Sequence, residues 1–137
     1  MKILISNSPL HFTHGHTFTQ ADWQTLVLPL LAGIIGDRHD LRIVDNNFLN
    51  LSSNSILKDI KTFEPEVVAF SIIATRDIFN TIEIIKKVRE AFPDLILLAG
   101  GQGASFYDEM LLKEGVNFVA RGEAELTLKE LIQTIEE

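Results

Sequence analysis

Short apolar runs alternate with segments of helical periodicity along this chain, and this alternation constrains the fold more than any other feature. Residues 67–73 are nearly all apolar and rich in β-branched side chains, which is typical of a central strand covered on both faces. Shorter runs of the same kind predict four more strands, at residues 2–6, 41–45, 95–99 and 117–120.

Five further segments have the residue spacing of amphipathic helices. They cover residues 21–36, 51–63, 77–92, 104–113 and 123–135. Pro29 is expected either to kink the first helix or to mark its true start. Strict alternation of strands and helices requires right-handed crossovers. The sequence therefore predicts an α/β fold of flavodoxin-like type, with a five-stranded parallel sheet and helices on both faces.

Length and composition limit the classes of function. A chain of 137 residues suits one domain, here residues 1–137, because single domains cluster at about 100–150 residues. The net charge of −7, with 12 scattered basic residues, argues against a nucleic-acid partner. Without cysteine, this chain itself holds no thiolate nucleophile or iron–sulfur cluster. The opening apolar run is too short for a signal peptide, so we expect a cytoplasmic protein without a membrane partner.

The predicted topology places the ligand site at one edge of the sheet. In open parallel sheets, ligands bind outside the carboxyl ends of the strands, where the strand order reverses. Flavodoxin-like order brings together the loops after the first, third and fourth strands. The candidate residues in these loops are Asn7, Pro9, Ser71, Ile73, Thr75, Gly100, Gly101 and Gly103. The glycine-rich run either lets a bulky ligand approach bare backbone or forms only a tight turn.

Two segments resemble a known family. Ser71-x-Ile73, followed by Gly100-Gly101, resembles the Ser-x-Leu and Gly-Gly pair of cobalamin-binding domains. Residues 121–125, Arg-Gly-Glu-Ala-Glu, resemble the segment common where such a domain precedes a radical S-adenosylmethionine domain. The subgroup resembled includes the anaerobic magnesium-protoporphyrin monomethyl ester cyclases and related cobalamin-dependent methyltransferases. The likeness extends over essentially the whole chain.

This resemblance implies a binding mode for the cofactor. In that family, the dimethylbenzimidazole tail of cobalamin inserts between the sheet and the helices. Ser71 would be its hydrogen-bonding partner, and Gly100 and Gly101 would leave room that a Cβ would fill. Thr75 would add a polar contact or cap the third helix. Arg121 and Glu123 would form a ligand-edge or interdomain contact, or the glutamates there would only complement a helix N-terminus.

The resemblance also implies that this chain and a second domain would hold different cofactors. The chain would be the N-terminal part of a longer radical S-adenosylmethionine protein and would not be catalytic alone. Its partners would be the corrinoid and a radical S-adenosylmethionine domain in cis or in trans. The iron–sulfur cluster and S-adenosylmethionine would bind only in that downstream domain.

One motif of the best-known branch is absent from this sequence. That branch supplies a cobalt ligand from Asp-x-His-x-x-Gly after the first strand, whereas the loop here contains His11, His14 and His16 without the aspartate. We therefore expect base-off cobalamin without a protein histidine on cobalt. A histidine metal site and solvated loop histidines stay as alternatives for this cluster. Trp23 would stack on the corrin edge or be a half-buried aromatic residue at a helix entry.

The sequence also bears on other sites and functions. The charged run at residues 37–40 predicts a solvated turn and not an acid–base pair. A degenerate domain of the same type, without cofactor and acting in docking or regulation, fits the sequence as well. A flavin or nucleotide binder would need a phosphate-cradling loop after the first strand, and none is found there.

Overall fold

The sheet has the predicted number and direction of strands. A computed structural model of the chain describes residues 1–7, 25–46, 53–73, 75 and 78–137. All strand pairs are parallel. The strands are β1 (Lys2–Asn7), β2 (Asp40–Val44), β3 (Val67–Ser71), β4 (Ile96–Gly100) and β5 (Phe118–Val119).

The strand order is β2-β1-β3-β4-β5, which confirms the flavodoxin-like prediction. The chain moves outward from β1 to β2 and then crosses back to β3. The strand order therefore reverses between β1 and β3, and the crevice at their carboxyl ends is the expected ligand position.

Helices cover both faces of the sheet. Those formed by the described residues are α1 (Val27–Ile35), α2 (Ser53–Phe63), α3 (Ile78–Ala91), α4 (Gln102–Phe106), α5 (Asp108–Lys113) and α6 (Glu125–Glu136). Helices α1 and α6 pack on one face, and the other four contribute to the core on the opposite face. None of the helices in the described part of the chain is long and apolar enough to cross a bilayer.

Alternation along the strands builds two separate apolar cores. In β3, Val68 and Phe70 face the α2–α3 side, while Val67 and Ala69 face α1 and α6. Every residue of β3 is buried, as expected for a central strand with helices on both sides. Side chains two residues apart point to the same face, so Ser71 follows Ala69 toward α1 and α6.

Two predicted helices differ from those observed. The first helix begins at Val27, and Pro29 lies in its first turn, where a missing amide hydrogen costs nothing. The predicted single helix at 104–113 was wrong, since Tyr107 (φ −120°, ψ 28°) separates α4 from α5. Asp108 accepts a hydrogen bond from the Glu109 amide at 2.9 Å, a local bond that competes with continuous helix. Strands and helices therefore do not alternate strictly in this region.

The predicted solvated turn at residues 37–40 was wrong at one position. His39 is 8% exposed, and its Nδ1 lies 3.9 Å from the Glu136 carboxylate at the end of α6. This histidine therefore packs beneath the C-terminal helix instead of facing water.

Candidate functional site

A row of three residues crosses the carboxyl edge of the sheet. The register pairs Asn7 of β1 with Ser71 of β3, and Ser71 with Gly100 of β4. By strand alternation, all three project toward the face covered by α1 and α6. The sequence-predicted residues of three different loops thus meet on one line at the switch point.

A cavity of about 240 Å³ opens beside this row, between the sheet and helices α1 and α6. We call it the Ser71 cavity. Its walls come from α1, β3, β4, β5, the loop at residues 120–124, and α6. The residues that line it are Val27, Leu31, Ala69, Phe70, Ser71, Leu98, Ala99, Gly100, Gly101, Phe118, Ala120, Gly122, Glu123, Ala124, Glu125, Thr127, Leu128 and Leu131.

The lining suits a flat, largely apolar group. Most of the lining side chains are aliphatic or small, and the polar ones are Ser71, Thr127 and the two glutamates of residues 123–125. Ser71 is 6% exposed, and its hydroxyl has no hydrogen-bond partner among the described residues. A ring nitrogen entering the cavity would give this hydroxyl an acceptor.

Gly100 keeps the side of the cavity open. A Cβ built on Gly100 would lie 3.5 Å from the Cβ of Ala124 and 3.7 Å from that of Ala120. These are ordinary van der Waals distances, and so the backbone of Gly100 tolerates a side chain. A methyl group at position 100 would instead occupy part of the cavity, next to Ala120 and Ala124.

Gly101 also lines the cavity, but a different constraint acts on it. Its φ is +101°, and a Cβ there would lie 2.6 Å from the carbonyl oxygen of Ile72. The same oxygen accepts a hydrogen bond from the Gly103 amide at 2.9 Å. The turn from β4 into α4 therefore lies directly against the backbone that follows β3. At 101, glycine is required by this turn, whatever occupies the cavity.

Asn7 belongs to a polar network beside the cavity. Its amide nitrogen donates to Asp45 Oδ1 at 2.9 Å, and its side-chain oxygen accepts from the Asn46 backbone amide at 2.8 Å. The Thr25 hydroxyl donates to the other Asp45 oxygen at 2.8 Å. These bonds tie the ends of β1 and β2 to the start of α1. Asn7 is thus held in place by its neighbours and does not line the Ser71 cavity.

The remaining predicted site residues lie elsewhere. Ile73 is 47% exposed, Thr75 is exposed, and Gly103 is buried in α4; none of the three lines the cavity. Pro9, the three loop histidines and Trp23 lie outside the described residues. In the described part of the chain, no group of three His, Asp or Glu side chains is arranged to hold a metal ion.

Two residues of the Arg-Gly-Glu segment, Gly122 and Glu123, line the cavity. Arg121 pairs with Asp108, and its guanidinium holds the pKa of that carboxyl below its usual value. Glu123 and Glu125 line the cavity, and Glu125 also lies in the first turn of α6, where a carboxylate stabilises the helix dipole. The contact that the structure shows for Arg121 is therefore with its own domain.

The sequence also matches a family model. The model described as "B12 binding domain" aligns with residues 18–132, which is most of the chain. The chain belongs to the B12-binding domain family. This confirms the family resemblance drawn from Ser71-x-Ile73 and the paired glycines.

Relatives and a solved structure agree with this B12-binding domain assignment. An uncharacterized methyltransferase of Pyrococcus horikoshii is 32% identical over 80% of this chain and 24% of its own length. The anaerobic magnesium-protoporphyrin IX monomethyl ester cyclase of Rubrivivax gelatinosus is 25% identical over 100% of this chain and 25% of its own. The chain thus spans about a quarter of the length of these relatives.

The fold of the B12-binding domain is similar to that of a solved cobalamin-binding protein from Desulfitobacterium hafniense DCB-2. The TM-score is 0.67 at 14% identity, over 96% of this chain and 57% of the other. At this identity, the likeness shows the shared fold.

Sequence reasoning missed the helical walls of the site in this B12-binding domain. Val27 and Leu31 of α1, with Leu128 and Leu131 of α6, line the cavity on the side opposite the sheet. The apolar spacing indicated amphipathic helices here, and both helices are present, but Leu26 and Leu30 of the predicted apolar face are exposed. Helix residues that pack in a core and helix residues that line a cavity have the same spacing. The sequence pattern therefore does not distinguish a cavity wall from a packed core.

Proposed function

We propose that this domain binds cobalamin in the base-off form, with the dimethylbenzimidazole tail in the Ser71 cavity and without a protein histidine on cobalt. The observation that carries the proposal is the cavity itself. It opens at the switch point of the sheet, is lined mainly by apolar side chains, and has a buried serine hydroxyl at the end of β3.

The residues present fit such a ligand. A benzimidazole ring is flat and apolar and has a ring nitrogen that accepts a hydrogen bond, which Ser71 is able to donate. The leucines of α1 and α6 would cover one face of the ring, while Ala69, Leu98 and Gly100 would leave its other face close to the sheet. A tail held there is separated from cobalt, which is why the bound form would be base-off.

We further propose that the domain serves a radical S-adenosylmethionine methyltransferase or cyclase. Bound cobalamin would supply methyl-transfer or radical chemistry. This chain has no cysteine to hold the iron–sulfur cluster, so the cluster and S-adenosylmethionine would be held by another segment, in cis or in trans. Relatives named as a methyltransferase and as a cyclase support this association.

The test is direct binding of hydroxocobalamin. The protein is mixed with the cofactor and separated by gel filtration, and the visible spectrum of the protein peak is recorded. We expect co-elution in about equal amounts and a spectrum of the base-off form. After reduction to the Co(II) form, electron paramagnetic resonance should show no nitrogen coupling on the axial position.

Two results would contradict parts of the proposal. A folded protein that binds no corrinoid would instead support the docking or regulatory module without cofactor. Nitrogen coupling in the resonance spectrum would show an axial nitrogen ligand and would overturn the base-off, histidine-free mode alone.

A further inference from the structure

Ser105 joins the two sides of the Ser71 cavity without lining it. Its hydroxyl donates a hydrogen bond to the Gly101 carbonyl at 3.1 Å and accepts one from the Gly122 amide at 3.0 Å. Gly101 and Gly122 both line the cavity, one on the turn after β4 and the other on the loop before α6. A single hydroxyl in α4 therefore links these two lining segments.

A second contact connects the same two segments. The guanidinium of Arg121, next to Gly122, pairs with the carboxylate of Asp108 at the start of α5. Asp108 is itself held by the Glu109 amide at 2.9 Å. Like Ser105, neither Arg121 nor Asp108 lines the cavity.

The loop at residues 120–124 has little other support. Ala120 donates to the Ala99 carbonyl at 2.8 Å, and Ala124 accepts from the Leu128 amide at 2.7 Å. Among the described residues, Arg121, Gly122 and Glu123 form no backbone–backbone hydrogen bond. The ends of this loop are therefore held by backbone bonds, and its middle is held by the contacts with Ser105 and Asp108.

We propose that Ser105 and the Arg121–Asp108 ion pair are positioning residues that hold the 120–124 loop as the outer wall of the Ser71 cavity and thereby retain the cofactor tail. The inference rests on the proposed function, since it needs cobalamin to bind there. In this proposal, residues outside the cavity help to retain the cofactor tail. The environments of the contacts differ: the ion pair and the Gly122–Ser105 bond are exposed, whereas the Ser105–Gly101 bond is partly buried.

The test compares two ligands on the whole chain. Affinity and dissociation rate are measured for hydroxocobalamin and for cobinamide, which has no nucleotide tail. Ser105→Ala should weaken cobalamin binding about threefold to tenfold, the effect of one to two neutral hydrogen bonds, and speed its release. Asp108→Asn should have a smaller effect in the same direction. Cobinamide binding should be unchanged in both variants, which a merely structural role would not produce.

Two matched control variants remove the same kinds of contact, a hydroxyl hydrogen bond and an exposed ion pair, at residues that do not line the cavity. Thr62→Ala deletes a helix hydroxyl that also bonds a carbonyl four residues earlier. Glu114→Gln breaks the exposed pair with Lys86. Both should leave the affinities for the two ligands unchanged.

The outcomes separate this inference from the proposed function. If the variants bind both ligands like the wild type, or weaken both equally, the positioning role is wrong. If the wild type binds no cobalamin, the proposed function fails first and the inference falls with it. If Ser105→Ala does not fold, Asp108→Asn alone decides by the same comparison.

Discussion

At the residue scale, two adjacent glycines carry different constraints. A Cβ at Gly100 would make ordinary van der Waals contacts with the side chains of Ala124 and Ala120. Gly101 has a positive φ, and a Cβ there would meet the Ile72 carbonyl. Under the proposed function, the paired glycines would combine one position kept small for the ligand with one that the backbone requires.

The same substitution should separate these two roles. Gly100→Ala should leave the free energy of unfolding within about 1 kcal/mol of wild type, because its backbone is compatible with a side chain. It should weaken cobalamin binding about tenfold, because a methyl group overpacks the ring site. Gly101→Ala should lower the free energy of unfolding by about 2 kcal/mol or more. Denaturant titration and visible spectroscopy measure the two effects; a reversed pattern would refute the assignment.

Ser71 is the one buried hydroxyl offered to the ligand by the strands that line the cavity in the described structure. Ser71→Ala should leave the free energy of unfolding nearly unchanged, since no described residue depends on its hydroxyl. Cobalamin affinity should fall about threefold to tenfold through loss of one hydrogen bond. Cobinamide serves as the control ligand. Equal losses for both ligands would place the tail elsewhere.

At the element scale, the strands were predictable because buried parallel strands read as short apolar runs, and residues 67–73 are such a run. The helix at 104–113 was not, because helical periodicity continues through Tyr107 while the backbone does not. The interruption depends on a local hydrogen bond of Asp108 and on its pairing with Arg121, 13 residues later. Periodicity within a segment contains no information on such a distant partner.

The Asp108–Arg121 pair should respond to salt and not to mild acid. The hydrogen bond from Arg121 is the main cause that lowers the pKa of Asp108 below 3.8, so the carboxylate stays charged above that value. Its contribution to retention is present at neutral pH and is lost only as the pH falls through the lowered pKa. We expect the ratio of wild-type to Asp108→Asn affinity to stay constant from about pH 5 to 8 and to approach one at high salt. A ratio that changes near neutrality would contradict this.

At the scale of the whole molecule, the predictable part of the site was its location. Parallel topology alone places the ends of β1, β3 and β4 together, which brought Asn7, Ser71 and Gly100 into one row. The opposite wall, from α1 and α6, depends on how closely two helices approach the sheet. That distance is set by packing across the domain, and no local pattern reports it.

The domain as a whole presents a largely apolar cavity at the switch point of its sheet. Among the described residues, the domain lines this cavity with the hydroxyl residues Ser71 and Thr127, two carboxylates and otherwise mainly apolar surface. It spans about a quarter of the length of its relatives.

The most direct measurement is a crystal structure of the domain grown with hydroxocobalamin. The account predicts the dimethylbenzimidazole ring between the sheet and helices α1 and α6, in contact with Gly100 and hydrogen-bonded to the Ser71 hydroxyl. Either of two results would contradict this prediction. The tail of bound cobalamin could lie outside the Ser71 cavity, or the cavity could be filled by the protein's own side chains while the corrinoid binds elsewhere.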